Sequence, residues 1–468
     1  MGAVGSRMEQ RSTMRRSMSW AVPTTVILFL GATGCAPEGS GGGESADGQS
    51  ITVAYQKTAT YTQVEALLQQ AKEDYEADNS GVTVNLQAIE AEENDYATKL
   101  ALMQRSPDTA PDVFYEDSFR VRPDAEAGYL LALDDYLAEW EDWENGFIDS
   151  AKQAGLGSDG KTYAVPMGTD TRALWYNTAV FERAGLPVPW EPKNWEDILD
   201  AAKAVKAADP DAIPFNIYSG TGMGEASSMQ GFEMLLYGTD DTLYDTDEGK
   251  WIVGSQGFKD SLQFVSDVYV GGLGPDVATA LDSNYYQQLN GEWYPANKVG
   301  ASIDGSWIAG NWLEDGPTPW PEWSEVMAVT AMPTQDGSEP GATSMSGGWT
   351  LAVGAGTKNP DAAFDFISTA LNKDNSLSYN VNASQVPVRS DVAEDPAFSE
   401  SSPVSGFFSD LVEVTHYRPT TSDYAEISGN IQQAMEAVMT GEKSVEDAAA
   451  AYDAALISLV GEENVSKE

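Results

Sequence analysis

Residues 51–90, ITVAYQKTATYTQVEALLQQAKEDYEADNSGVTVNLQAIE, decide the fold class. Ile51–Tyr55 is apolar and β-branched, as a strand buried in a sheet should be. Val64, Leu67, Leu68, Ala71 and Tyr75 then recur every three or four residues, which places them on one face of a helix. Val82–Ile89 alternates with period two and reads as a second strand. Strand, helix and strand in succession make a unit that buries its sheet under helices.

The alternation continues along the chain. A helix carries Tyr96 and Leu100, and Pro111-Asp112-Val113-Phe114-Tyr115 is strand-like. Asn194–Asp209 is a helix stopped by Pro210, and Ile213–Ser219 is a strand. Asn359-Pro360 supplies a cap and a first-turn proline for a helix over Asp361–Leu371. The C-terminal part is helical over Tyr424–Met439, breaks at Gly441, and resumes over Ser444–Leu459 behind a Ser-x-x-Asp box. The class is α/β with parallel, helix-covered sheets. More than 400 residues of this pattern predict at least two α/β lobes.

Composition narrows the function. The chain has 468 residues, 73 Asp and Glu against 26 Lys and Arg, and a formal charge of −47. That charge excludes nucleic acid as a partner, since phosphate backbones need basic patches. One cysteine and one histidine exclude an internal disulfide framework and any multi-His or Cys-rich metal centre. No cofactor or metal is expected.

The first fifty residues read as an address and a tether. Arg7, Arg11, Arg15 and Arg16 precede a short apolar run, Trp20–Leu30, that suits a signal peptide better than a membrane span. Gly31-Ala32-Thr33-Gly34-Cys35 follows and resembles a bacterial lipoprotein signal, cleaved before a lipidated Cys35; an ordinary secretory signal with an incidental cysteine is the alternative. Residues 1–34 are thus expected to be removed, taking the formal charge from −47 to −50 through loss of four arginines and Glu9. Residues 35–50 form the lipidated cysteine and a Gly/Ser-rich leash with a reach of roughly 20 Å. The expected location is extracytoplasmic, anchored to the cell membrane.

Motifs of covalent chemistry are missing. There is no Gly-x-Ser-x-Gly elbow and no phosphate-binding Gly-Lys-Ser/Thr loop. Gly220-Thr221-Gly222-Met223-Gly224-Glu225 imitates a dinucleotide turn, but Glu225 stands where the last glycine belongs and would repel a pyrophosphate. It reads as a loop that brings backbone close to something uncharged, or as a plain connector. Asp245-Thr246-Asp247-Glu248-Gly249 reads as a hairpin turn rather than a calcium loop, because Gln256 occupies the bidentate position. The acidic residues offer many candidate glycosidase pairs and single out none.

The unusual feature is the aromatic supply, with 13 Trp and 20 Tyr. Asp304-Gly305-Ser306-Trp307 follows a strand, and Ser346-Gly347-Gly348-Trp349 precedes one. An indole at a strand end beside small residues can lie flat with one face open, which suits the C–H face of a sugar; otherwise it fills the core.

In several ordered segments the chain resembles the extracellular solute-binding proteins of sugar-importing ABC systems, the maltose-binding-protein type. The segments are Pro111-Asp112-Val113-Phe114, Lys161–Pro166, Thr169–Asn177, Gly185-Leu186-Pro187, Asn194-Trp195-Glu196-Asp197, Asp304–Trp307, Gly347–Leu351, Lys358–Ala363, Val386–Arg389 and Gly441–Ala448. The resemblance implies a two-lobe, type II periplasmic-binding-protein-like fold with discontinuous lobes joined by hinge strands. Lobe 1 is expected over 51–168 plus 355–400 and lobe 2 over 169–354 plus 401–468. Crossovers are expected near Met167–Thr169, Ala352–Ala355 and after Pro396.

Carried over residue by residue, the resemblance implies ligand contacts at Lys57, Thr58, Glu116, Asp117, Asp170, Arg172, Trp307, Gly347, Trp349, Arg389 and Arg418. For the arginines an inter-lobe salt bridge is an equal alternative, and Lys57 is equally a solvated turn residue. The implied protein is a monomeric, non-enzymatic receptor that passes a neutral sugar, a short oligosaccharide, to a membrane permease. A secreted glycoside hydrolase, or a receptor for a polyol, peptide or polyamine, is the alternative.

Overall fold

The computed structural model of the protein describes residues 49–467, apart from positions 60, 92, 107, 108 and 283. The expected signal segment, Cys35 and most of the leash lie outside the described residues. In chain order the strands begin with β1 (Gln49–Lys57), β2 (Val82–Glu90), β3 (Val113–Asp117), β4 (Ala164–Thr169), β5 (Arg172–Asn177) and β6 (Ile213–Asn216). A hairpin, β7 (Tyr244–Asp245) and β8 (Lys250–Val253), carries its turn over Thr246–Gly249. Then come β9 (Val299–Gly305), β10 (Met327–Thr330), β11 (Ser344–Ser346), β12 (Gly348–Val353), β13 (Thr415–Tyr417) and β14 (Val465–Lys467).

Two sheets organise the body. One has the order β2-β1-β3-β12-β4 and the other β10-β5-β9-β6. The first β–α–β unit forms as its sequence pattern requires. Val64, Leu67, Leu68, Ala71 and Tyr75 are all buried on the helix Gln63–Asp78, and β1 pairs in parallel with β2. In β5 the period-two pattern is legible on both faces. Leu174 and Tyr176 enter one core while Ala173 and Trp175 enter another.

The sheets are mixed rather than parallel throughout. β12 runs antiparallel to both β3 and β4, and β5 runs antiparallel to β9 and β10. The physical reason is that the chain crosses between the halves, so returning strands enter a sheet from its opposite end. β12 also corrects a boundary. It lies inside the first sheet, so the second crossover falls at Gly347, before the strand, and not at Ala352–Ala355. The first crossover is the short Asp170-Thr171 link from β4 to β5. On the last passage, Val388 still belongs to the first core, whereas Val404, Phe408 and Leu411 pack in the second half.

Local signals act as chemistry dictates, with one exception. Asn194 accepts from the Asp197 N–H at 3.0 Å, and Ser444 accepts from the Asp447 N–H at 3.1 Å while donating to its carboxylate at 3.0 Å. Asn359 makes no side-chain cap on the helix Pro360–Ala370; its amide donates to the Ser50 carbonyl instead. Pro166 sits in β4, an edge strand, the place in a sheet where proline is tolerated.

Candidate functional site

The crossovers tie the two sheets together at one place. The Thr169 hydroxyl donates to the Gly347 carbonyl at 2.8 Å, and the Gly347 N–H donates to Asp170 Oδ1 at 3.0 Å. Arg172 donates to Asp170 and, at 3.1 Å, to the Met345 carbonyl. Asp170 and Arg172 are thus buried hinge fasteners whose side chains also face a cavity.

That cavity, about 410 Å³, opens between the ends of β1, β3 and β12 on one side and the β9 turn and the Gly222–Gln230 segment on the other. Its aromatic walls are Tyr61, Tyr115, Tyr286, Trp307 and Trp349. A second cavity of about 520 Å³ shares Asp117, Glu225 and Trp349 with it and runs on beside the helix Glu93–Gln104.

The Trp307 indole is fixed by its turn. The Asp304 carboxylate accepts from the Gly305 N–H at 2.9 Å and from the Tyr218 hydroxyl at 2.8 Å, and the Ser306 N–H donates to the Thr171 carbonyl at 3.0 Å. Burial pushes the Asp304 carboxyl up to about 7, against the lowering effect of those donors. Trp307 Nε1 donates to the Tyr286 hydroxyl at 2.9 Å. The six-membered ring lies directly on Gly305, where an added Cβ would stand 1.8 Å from Cζ3. The Arg172 guanidinium carbon is 4.7 Å from the ring centroid, a cation–π contact. Trp349 stacks on Tyr115 with centroids 4.1 Å apart and planes 3° from parallel.

Arg418 closes the wall between the halves. It donates to Asp117 of β3 at 2.6 Å and to Glu225 at 3.3 Å, with its guanidinium carbon 4.3 Å from the Phe119 ring centroid. Behind Glu225, the Tyr424 hydroxyl donates to the buried Glu233 at 2.6 Å.

Of the residues expected at the site, Thr58, Asp117, Asp170, Arg172, Trp307, Trp349 and Arg418 line the 410 Å³ cavity. Four do not. Lys57 turns to Glu65 on the following helix, with Nζ and Oε2 2.9 Å apart. Glu116 lies toward Asp124 and Arg120 and borders the second, 520 Å³ cavity rather than the first; burial pushes its carboxyl up. Gly347 serves the hinge through its backbone. Arg389 is sealed in the first half, held by Asp142, Asp391 and the Leu371 carbonyl. Its expected cleft contact is therefore corrected to a lobe-internal ion pair. The sequence reading missed Gln56, Tyr61, Tyr286, Gln230 and Gln385, which also line the cavity. The signal for Glu225 was present: its glycine-rich loop does border the cleft through Gly222 and Gly224.

This arrangement, two α/β halves around a cleft of aromatic and hydrogen-bonding side chains, defines a binding protein. The chain matches the family model "Bacterial extracellular solute-binding protein" over residues 58–376 and belongs to that family. A Brucella abortus (strain 2308) protein named as a binding protein is 23% identical over 392 residues, covering 83% of this chain and 89% of that one. The fold matches the GacH receptor of Streptomyces glaucescens GLA.O, solved unliganded and with acarbose. The TM-score is 0.74 at 23% identity, over 88% of this chain and 99% of the receptor. Maltose-bound T. maritima MalE3 matches with a TM-score of 0.74 at 21% identity, over 88% of this chain and 100% of MalE3. The two-lobe solute-binding fold is thereby established, and the family is extracytoplasmic.

Proposed function

We propose that this protein is the receptor of an ABC importer, capturing a neutral sugar, a short oligosaccharide, between its lobes. The observation that carries this reading is the Trp307 indole, held flat on Gly305 in the cleft wall beside Asp170 and Arg172. A pyranose stacks its C–H face on such a ring while carboxylate, amide and guanidinium groups satisfy its hydroxyls. The second cavity beyond Trp349 leaves room for further rings. The acarbose and maltose held by the similar structures, and a 26% identical relative in Deinococcus radiodurans named as an ABC transporter-binding protein, support the same reading. The sugar contacts both lobes when they close and one when they open, so it shifts the hinge equilibrium by its differential affinity. The permease reads the closed form. Cys35, lipidated, holds the monomer at the membrane.

A thermal-shift and calorimetry panel of oligosaccharides, polyols, peptides and polyamines tests this. An oligosaccharide should raise the melting temperature. A shift by a polyamine alone would overturn the sugar reading, and release of reducing ends on long incubation would make the protein a glycosidase.

A further inference from the structure

We propose that the protein has a second binding site, at the hinge and separate from the sugar cleft, for an anionic amphiphile: a carboxylate or sulfonate on an aliphatic or aromatic body. A cavity of about 1050 Å³ lies there between the halves, walled by Phe119 and Ile148 from one and Tyr237 and Tyr244 from the other. Gly168, Gly347 and Pro387, at or beside the crossovers, line it too.

Its charge sets it apart. The chain carries 73 acidic residues, yet among the described residues this wall includes no Asp or Glu. The sugar cleft, by contrast, presents Asp95, Asp117, Asp170 and Glu225. The charged residues of the hinge cavity are Arg418, engaged by Asp117 and Glu225, and Arg122. Among the described residues Arg122 makes no ion pair, and its Nε is buried without a hydrogen-bond partner. With no carboxylate partner of its own among the described residues, this guanidinium can pair with a carboxylate or sulfonate. The excluded carboxylates also spare an anion the repulsion it meets elsewhere on this surface.

The rest of the wall suits an apolar body. Ile148, Leu156 and Val388 line it, and Val412 and Tyr417, 37% and 56% exposed, leave apolar surface open to solvent at its edge. Gly348, Trp349 and Arg418 line both this cavity and the sugar cleft. Occupancy of either therefore alters the walls of the other, and the coupling must be reciprocal.

The probe is 8-anilinonaphthalene-1-sulfonate, titrated into the full chain by fluorescence, with decanoate as competitor. Saturable enhancement displaced by decanoate is expected. Arg122→Gln should weaken the dye at least tenfold. So should Val412→Glu, which restores a carboxylate to the wall at a solvent-exposed position and so leaves the fold intact. Trp307→Ala, confined to the sugar cleft, should leave dye affinity unchanged. No enhancement overturns the proposal, as does dye binding that Trp307→Ala abolishes or that both Arg122→Gln and Val412→Glu leave at the wild-type level. None of these readouts depends on the sugar assignment.

Discussion

Arg418 spans the two halves: its Nη2 lies 2.6 Å from Asp117 Oδ1 in the first, and its Nη1 lies 3.3 Å from Glu225 Oε2 in the second. All three side chains are nearly sealed from water, so neither carboxylate has solvent to replace this partner. Of the two roles the sequence left open for Arg418, the inter-lobe salt bridge is formed, and the residue also lines the cleft.

Arg418→Gln should therefore open the unliganded protein. Two buried carboxylates would face one another, and breaking such a pair costs about 3–5 kcal/mol. Separation of the lobes restores their water. A larger radius of gyration by solution scattering is expected, with sugar affinity lower by about 100-fold or more because closure must now reverse that gain. An unchanged radius and Kd would mean that the bridge does not set the lobe angle.

Trp307→Ala should weaken sugar binding by roughly 1–3 kcal/mol with the fold retained. Gly305→Ala should do nearly the same without touching the indole's chemistry, since its methyl would stand 1.8 Å from the ring. Calorimetry for affinity and near-ultraviolet circular dichroism for the indole environment test the pair. If Gly305→Ala shifts the indole signal but leaves affinity intact, Trp307 is not a sugar platform.

The fold was largely legible because periodicity is local. Val64 to Tyr75 declares its helix face, and Ile51 to Tyr55 its buried strand. The sheet assignment of β12 was not legible, because Gly348–Val353 pairs with strands more than 170 residues earlier. At the site, Trp307 and Asp170 stood in recognisable turns. Tyr61, Tyr286 and Gln385 did not, since their place on the cleft depends on how remote segments pack. Arg389 misled because a guanidinium in a Val-Pro-Val-Arg run looks the same whether it reaches the cleft or pairs with Asp142.

Arg389 gives a control with the opposite signature. The side chain is sealed while Asp142 and Asp391 are partly exposed, so only the arginine's own wrapping is lost on removal. Arg389→Ala should destabilise the protein by about 3 kcal/mol through the bonds it makes to Asp142, Asp391 and the Leu371 carbonyl. Sugar affinity should stay at the wild-type value. A fall in affinity at a temperature where the variant is fully folded would return Arg389 to the binding machinery.

Glu233 makes stability depend on pH. Burial raises its carboxyl to about 8, with Glu225 adding to the rise and the Tyr424 hydroxyl opposing it. In the unfolded chain the group titrates near roughly 4.3. Between those values the folded protein keeps a proton that the unfolded chain releases, so its contribution is full at low pH and is lost as pH rises toward 8. Glu233→Gln keeps an acceptor for Tyr424 and removes the titration. Urea unfolding should give a variant little different from the wild type near pH 4 and clearly more stable than it at pH 8. A gap that is the same at both pH values would show that Glu233 is ionised in the folded protein across this range.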